Sequence, residues 1–228
     1  MGKNDNGNNG RTELVFVVDR SGSMGGLESD TIGGFNSMLS KQRTIAGECR
    51  VTTLLFDHRI ETLHNHLDIR EVNDLTSRDC WVRGSTALLD AIGLAIDRMI
   101  VTQRHTAAAY RAQHVLFVII TDGYENASRR YSLHQIKQMI TYERERYHWE
   151  FVFLGANIDA EQTAGDFGIS PRCATDFHAD GQGIKASFEA VACAATAVRG
   201  GADLDDLSAP DFLGGVRDDY RSRRRMKR

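Results

Sequence analysis

Three short segments, far apart in the chain, carry oxygen-bearing side chains where an apolar pattern meets a turn. Asp19-Arg20-Ser21-Gly22-Ser23 follows the apolar run 14–18, Gly84-Ser85-Thr86 precedes a helix-like stretch, and Thr121-Asp122-Gly123 follows the apolar run 115–120. Asp19, Ser21, Ser23, Thr86 and Asp122 together offer two carboxylates and three hydroxyls, with no His or Cys among them. A hard divalent cation in octahedral array takes such oxygen donors, which points to Mg²⁺ or Mn²⁺. Each segment alone has a plainer reading. Ser21 and Ser23 suit a turn or cap, Thr86 a helix N-cap, and Asp122-Gly123 a turn. The ordered set of five is what favours metal.

The elements that must position these residues follow from the apolar pattern. Runs 14–18, 115–120 and 151–154 are continuous, as strands covered on both faces of a parallel sheet are. Helical spacing recurs over 27–45, 86–101, 132–146, 159–167 and 184–198, and segments 50–56 and 60–64 flank Asp57-His58-Arg59 as a hairpin. Alternating strands and helices predict an α/β fold: a Rossmann-like, doubly wound, mostly parallel sheet with one antiparallel edge strand and helices on both faces. Ligands of such sheets gather beyond the strand carboxyl ends. Asp19 and Asp122 both lie there, and they meet only if strands 14–18 and 115–120 are neighbours.

Asp-x-Ser-x-Ser, a Thr after a Gly-containing turn, and Thr-Asp-Gly closing a later strand together resemble the metal-ion-dependent adhesion site of von Willebrand factor type A domains. The resemblance covers roughly residues 12–170. It implies direct ligation by Ser21 and Ser23, ligation by Asp19 and Asp122 directly or through water, and a state-dependent role for Thr86. It also implies a sixth position open to an Asp or Glu of a partner protein. The pattern resembles stand-alone bacterial members, including those of tellurite-resistance and stress-response systems. Other members of the family work beside AAA+ ATPases, and this chain has no phosphate-binding GxxxxGK[ST] loop of its own.

With 228 residues, 41% hydrophobic, and only 2 Pro, the chain suits one α/β domain. The expected layout is a disordered segment over 1–11, the domain over 12–200, and an extension over 201–228 ending in a basic tail. Arg221, Arg223, Arg224, Arg225, Lys227 and Arg228 crowd that tail, which reads as a solvated, disordered end with no aromatic residue interleaved among its final arginines. A net charge of −3 argues against general attraction to nucleic acid. No apolar run is long enough to span a membrane, and the polar first residues show no signal peptide, so a cytoplasmic location is expected. The 4 cysteines lack metal-ligand spacing and read as incidental thiols. Arg20 is expected to face solvent, and Glu125 and Asn126 to rim the site or serve its loop.

The leading functional expectation is a non-catalytic, metal-dependent protein-interaction module, an adaptor or assembly factor. A Mg²⁺-dependent phosphohydrolase with Asp19 as nucleophile competes, but such a site wants a second Asp two positions on, where Ser21 stands. No GxSxG elbow supports a serine hydrolase. A purely structural domain with a loop-stapling metal is the third alternative.

Overall fold

The structure is a computed structural model that describes residues 10–79 and 82–226. Six strands form one sheet: β1 (Thr12–Asp19), β2 (Cys49–Phe56), β3 (Ile60–Asp68), β4 (His114–Thr121), β5 (Glu150–Gly155) and β6 (Ala174–Asp176), in the order β3-β2-β1-β4-β5-β6. All pairings are parallel except that of β2 with β3. The expected hairpin is therefore the antiparallel edge. β1 pairs with β4 in a register that sets Val18 opposite Ile120, so the adjacency required by the two aspartates is present. The strand order reverses between β1 and β4, and it is beyond the carboxyl ends at such a switch point that ligands of these sheets gather.

Helices α1 (Glu28–Arg43), α2 (Leu88–His105), α3 (Leu133–Tyr147), α4 (Ala160–Asp166), α5 (Gly181–Arg199) and α6 (Gly214–Met226) complete the chain. α1 packs with α5, and α2 with α3, each pair against the sheet. β1 is buried along its whole length, which is why its apolar run does not alternate. Phe35 of α1 meets Phe16 edge-on at 5.1 Å and Phe188 of α5 at 6.2 Å, joining two helices and the central strand. Burial of each such ring contributes roughly 1.5–3 kcal/mol. α3 begins on the reciprocal cap of Ser132 and Gln135, each side chain accepting from the other's backbone N–H.

The C-terminal region differs from expectation. Residues 221–226 are not a disordered end but the last turns of α6, which packs on α5 and β6. Leu204, Leu213 and Val216 are in the same core as the sheet, and Arg223 pairs with Asp180 and Asp219. The apolar residues are few, but they fall on one side, and ion pairs fix the rest. At the other end Arg11 is held by Glu48 and by the carbonyl of Ala109, while the remainder of the expected N-terminal segment, residues 1–9, lies outside the described residues. So do Cys80, Lys227 and Arg228. Among the described residues no helix is long and apolar enough to cross a membrane.

Candidate metal centre

The chain leaves β1 at Asp19 and turns at once into a single helical turn, Gly22–Met24. Asp19 is 1% exposed. Its Oδ1 accepts from the Ser21 backbone N–H at 2.6 Å, which bends the loop back on itself, and its Oδ2 accepts from the Thr121 hydroxyl of β4 at 2.6 Å. The Ser21 and Ser23 hydroxyls lie 3.0 Å apart, and the Thr86 hydroxyl donates to Ser21 Oγ at 3.1 Å. Three segments distant in sequence thus converge. Asp122 follows Thr121 directly, and Gly123 beyond it lies so close that a Cβ there would stand 3.4 Å from both Ser23 Oγ and Thr86 Oγ1.

Electrostatics single out the two carboxylates. Burial pushes the Asp19 carboxyl above its usual range despite hydrogen bonds from Thr121 and Ser21 that work the other way. Burial also raises Asp122, the negative charge of Asp19 adds to the rise, and the nearby Ser23 hydroxyl offsets only part of it. Asp122 is 2% exposed, and neither of its carboxylate oxygens has a hydrogen-bond partner among the described residues. A buried, unpartnered carboxylate carries a desolvation cost that a cation would offset. Oxygen donors gathered on one side, with an orphaned acid among them, fit a hard divalent ion. Among the described residues no group of three or more His, Cys, Asp or Glu could hold a metal ion, so an ion at this place would need the hydroxyls as well.

Arg20 departs from expectation. It is 2% exposed, pointing not to solvent but to Asp57 at the end of β2. Its Nε donates to Asp57 Oδ2 at 3.3 Å and its Nη2 pairs with Glu61 of β3 at 2.8 Å. Arg83, in the segment before α2, donates to the same Asp57 oxygen at 2.8 Å. Burial alone would raise Asp57, but hydrogen bonds from Arg83 and the Arg59 backbone, with the charges of Arg83 and Arg20, hold it below its usual range. One carboxylate thereby ties the loop after β1 to the segment bearing Thr86. Backbone bonds reinforce the tie, from Arg83 N–H to Arg20 C=O at 3.0 Å and from Gly22 N–H to Gly84 C=O at 3.2 Å. Gly84 has φ +69°, and a Cβ there would come within 2.1 Å of His58 Nδ1, so the turn requires glycine.

Thr86 does not cap α2. The residue at the cap position is Ala87, with no side-chain cap bond. Instead Asn126 grips Thr86 from both sides: its Oδ1 accepts from the Thr86 backbone N–H at 2.9 Å, and its own N–H donates to the Thr86 carbonyl at 3.0 Å. Glu125 receives the Leu89 N–H at 2.9 Å and so performs the capping that Thr86 does not. Both residues serve the loop. The tether at Asp57, the hydrogen bond from Thr121 to Asp19 and the buried pose of Arg20 are the functional supports that sequence reasoning missed, while Asn126 takes the loop role expected of it. The available signal was Asp57, an acidic residue closing an apolar strand in the same manner as Asp19.

No protein-family model and no curated protein matches the chain. Solved structures do. The proximal thread matrix protein PTMP1 of the mussel byssus, with a zinc-occupied MIDAS motif, is 16% identical over 82% of this chain and 46% of its own, with a TM-score of 0.57. The manganese-loaded TRAP protein of Plasmodium vivax is 18% identical over 78% of this chain and 72% of its own, at 0.55. The PilB minor pilin of Streptococcus sanguinis, in a substituted form, is 13% identical over 88% of this chain and 64% of its own, at 0.55. The chain spans just under half the length of the mussel protein. At these identities the likeness establishes the fold, and that fold is of the von Willebrand factor type A kind.

Proposed function

We propose that the chain is a non-catalytic protein-interaction module whose docking surface is completed by Mg²⁺ or Mn²⁺ held by Asp19, Ser21, Ser23, Thr86 and Asp122. The observation that carries this reading is the buried Asp122 carboxylate, left without a partner beside three converging hydroxyls. Bound there, the ion supplies an electropositive position for one outside oxygen, and a partner's Asp or Glu is the matching donor. The chain's own part is to hold the five donors: Thr121 and the Ser21 backbone orient Asp19, Asn126 orients Thr86, and Asp57 locks the two loops together.

Nucleophilic use of Asp19 finds no support. Both its oxygens already accept hydrogen bonds, and Ser21 stands where a phosphohydrolase needs its acid. The resemblance of the metal-site residues to bacterial stress-response and AAA+-linked members supports a cytoplasmic adaptor role, with the site carried by residues 12–200 and α6 packed into the same core. Capture on the immobilised full chain, in Mg²⁺ and in EDTA, tests the interaction. The expected result is a partner retained in Mg²⁺, released by EDTA and not retained by Thr86→Ala; equal retention by that variant in EDTA contradicts the mechanism.

A further inference from the structure

A second cleft, at the opposite end of the sheet from the metal centre, holds chemistry that centre does not use. It lies between α2 and α3 and is walled by Tyr142, Tyr147 and Trp149, with Arg104 and Arg111 beside them. Trp149 precedes β5, and Arg111 lies just ahead of β4, which places the cleft at the strand amino ends. Tyr142 and Tyr147 are 55% and 52% exposed, yet they pack edge-on at 6.0 Å; Trp149 is held from behind by Phe117 at 5.5 Å. The exposed ring faces of Tyr142 and Tyr147 are stacking platforms, whereas Trp149 is only 5% exposed.

Glu143 gives the cleft direction. It borders the cavity and is 3% exposed, and no described residue donates a hydrogen bond or forms an ion pair with its carboxyl. Burial raises this carboxyl, opposed by the charge of Arg104. It is an acceptor at the cavity wall with no hydrogen-bond donor among the described residues. The cavity measures about 180 Å³, room for one ring system, and adjoins a trough of about 730 Å³ that shares Arg104, Tyr142 and Glu143 and carries charges of both signs, His134 and Lys137 with Asp97 and Glu145. Neither Arg104 nor Arg111 forms an ion pair among the described residues, although Arg111 donates to the Thr106 carbonyl at 3.0 Å.

We propose that this cleft binds a guanine nucleotide, with the base against the exposed tyrosine rings, its N–H edge on Glu143 and its phosphate on Arg104 and Arg111. An ionised carboxylate accepts only, and it pairs best with two adjacent N–H donors. Guanine presents them at N1 and the exocyclic amine. Adenine and cytosine place a ring acceptor beside their one amine, and uracil flanks its single N–H with carbonyls. The anionic end matches unpaired guanidinium groups.

The test is calorimetric titration of the full chain with GMP in EDTA, which prevents a metal ion from bridging phosphate to the Asp19 centre. Saturable binding is expected, at least about tenfold tighter than for AMP or UMP, since a buried polar group left unpaired discriminates strongly. Glu143→Gln should weaken GMP by about tenfold or more, and Arg104→Ala, at an exposed position, should weaken it while leaving the melting temperature in place. Inorganic phosphate alone should not compete effectively. Absence of saturable GMP binding up to millimolar concentration, equal affinity for AMP, or unchanged affinity in the Arg104→Ala and Glu143→Gln proteins overturns the assignment.

Discussion

Two buried arginines occupy opposite ends of the sheet and solve their burial in different ways. Arg199, at the end of α5, is 2% exposed and gives its donors to backbone carbonyls of Gln42 at 2.6 Å and Ile45 at 2.9 Å, with Ala46 and Gly47 close behind. Gln42 returns the favour by donating to the Ala192 carbonyl at 2.9 Å, so the ends of α1 and α5 are sewn together. Arg20, at the carboxyl end, answers a carboxylate that it shares with Arg83, and Asp122 nearby has no answering donor. The burial of Arg199 is met by hydrogen bonds, whereas both carboxylate oxygens of Asp122 are left without one.

Substitutions should break this contrast unequally. Asp57→Asn carries the largest expected effect, because it strips Arg20 and Arg83 of their common counter-charge: breaking a buried pair costs about 3–5 kcal/mol, and metal affinity should fall with it, read by chemical denaturation and by titration of metal into the folded variant. Arg199→Ala should cost about 2–3 kcal/mol by orphaning backbone carbonyls, lowering the melting temperature by roughly 4–12 °C, while the metal response keeps its full size. Loss of that response in Arg199→Ala would mean that scaffold and site are not separable.

Asp122→Ala inverts the usual rule. In metal-free protein it removes a buried carboxylate that has no partner, so stability should hold or rise by about 1 kcal/mol. A clear drop in the metal-free melting temperature would show that Asp122 serves the fold. Glu150, at the start of β5, sharpens the comparison at smaller scale. Burial and the charges of Asp203 and Asp205 push its carboxyl up to about 7. Because the folded pKa exceeds the ordinary value, the folded state binds the extra proton between pH 4.5 and 7, and stability falls as pH rises through that window. Glu150 is only partly buried, so solvent screening keeps the loss below about 1 kcal/mol. Glu150→Gln should flatten the pH profile of the melting temperature in that window.

Much of this was legible in the residues. Continuous apolar runs marked β1, β4 and β5, and the metal hypothesis itself demanded that β1 and β4 be neighbours. Asp19, Ser21 and Ser23 could be grouped because their spacing is local, whereas Thr86 and Asp122, far along the chain, joined them only through shared chemistry. Arg20 was not, since a charged residue in a glycine-rich loop has no sequence mark of burial when its partner, Asp57, comes from another strand. β6 has three residues, too few to show a period. α6 escaped because ion pairs from Arg223 to Asp180 and Asp219 fix a helix whose composition is that of a solvated tail.

The most direct measurement is the thermal midpoint of metal-stripped protein titrated with Mg²⁺ or Mn²⁺, wild type beside Asp122→Ala. At a ligand concentration about 100 times Kd, a site present only in the folded state adds about 2.7 kcal/mol, or roughly 5–11 °C for a chain of this size. The account predicts that rise in the wild type and a flat response in the variant. A flat wild-type response, or an equal rise in both proteins, would contradict it.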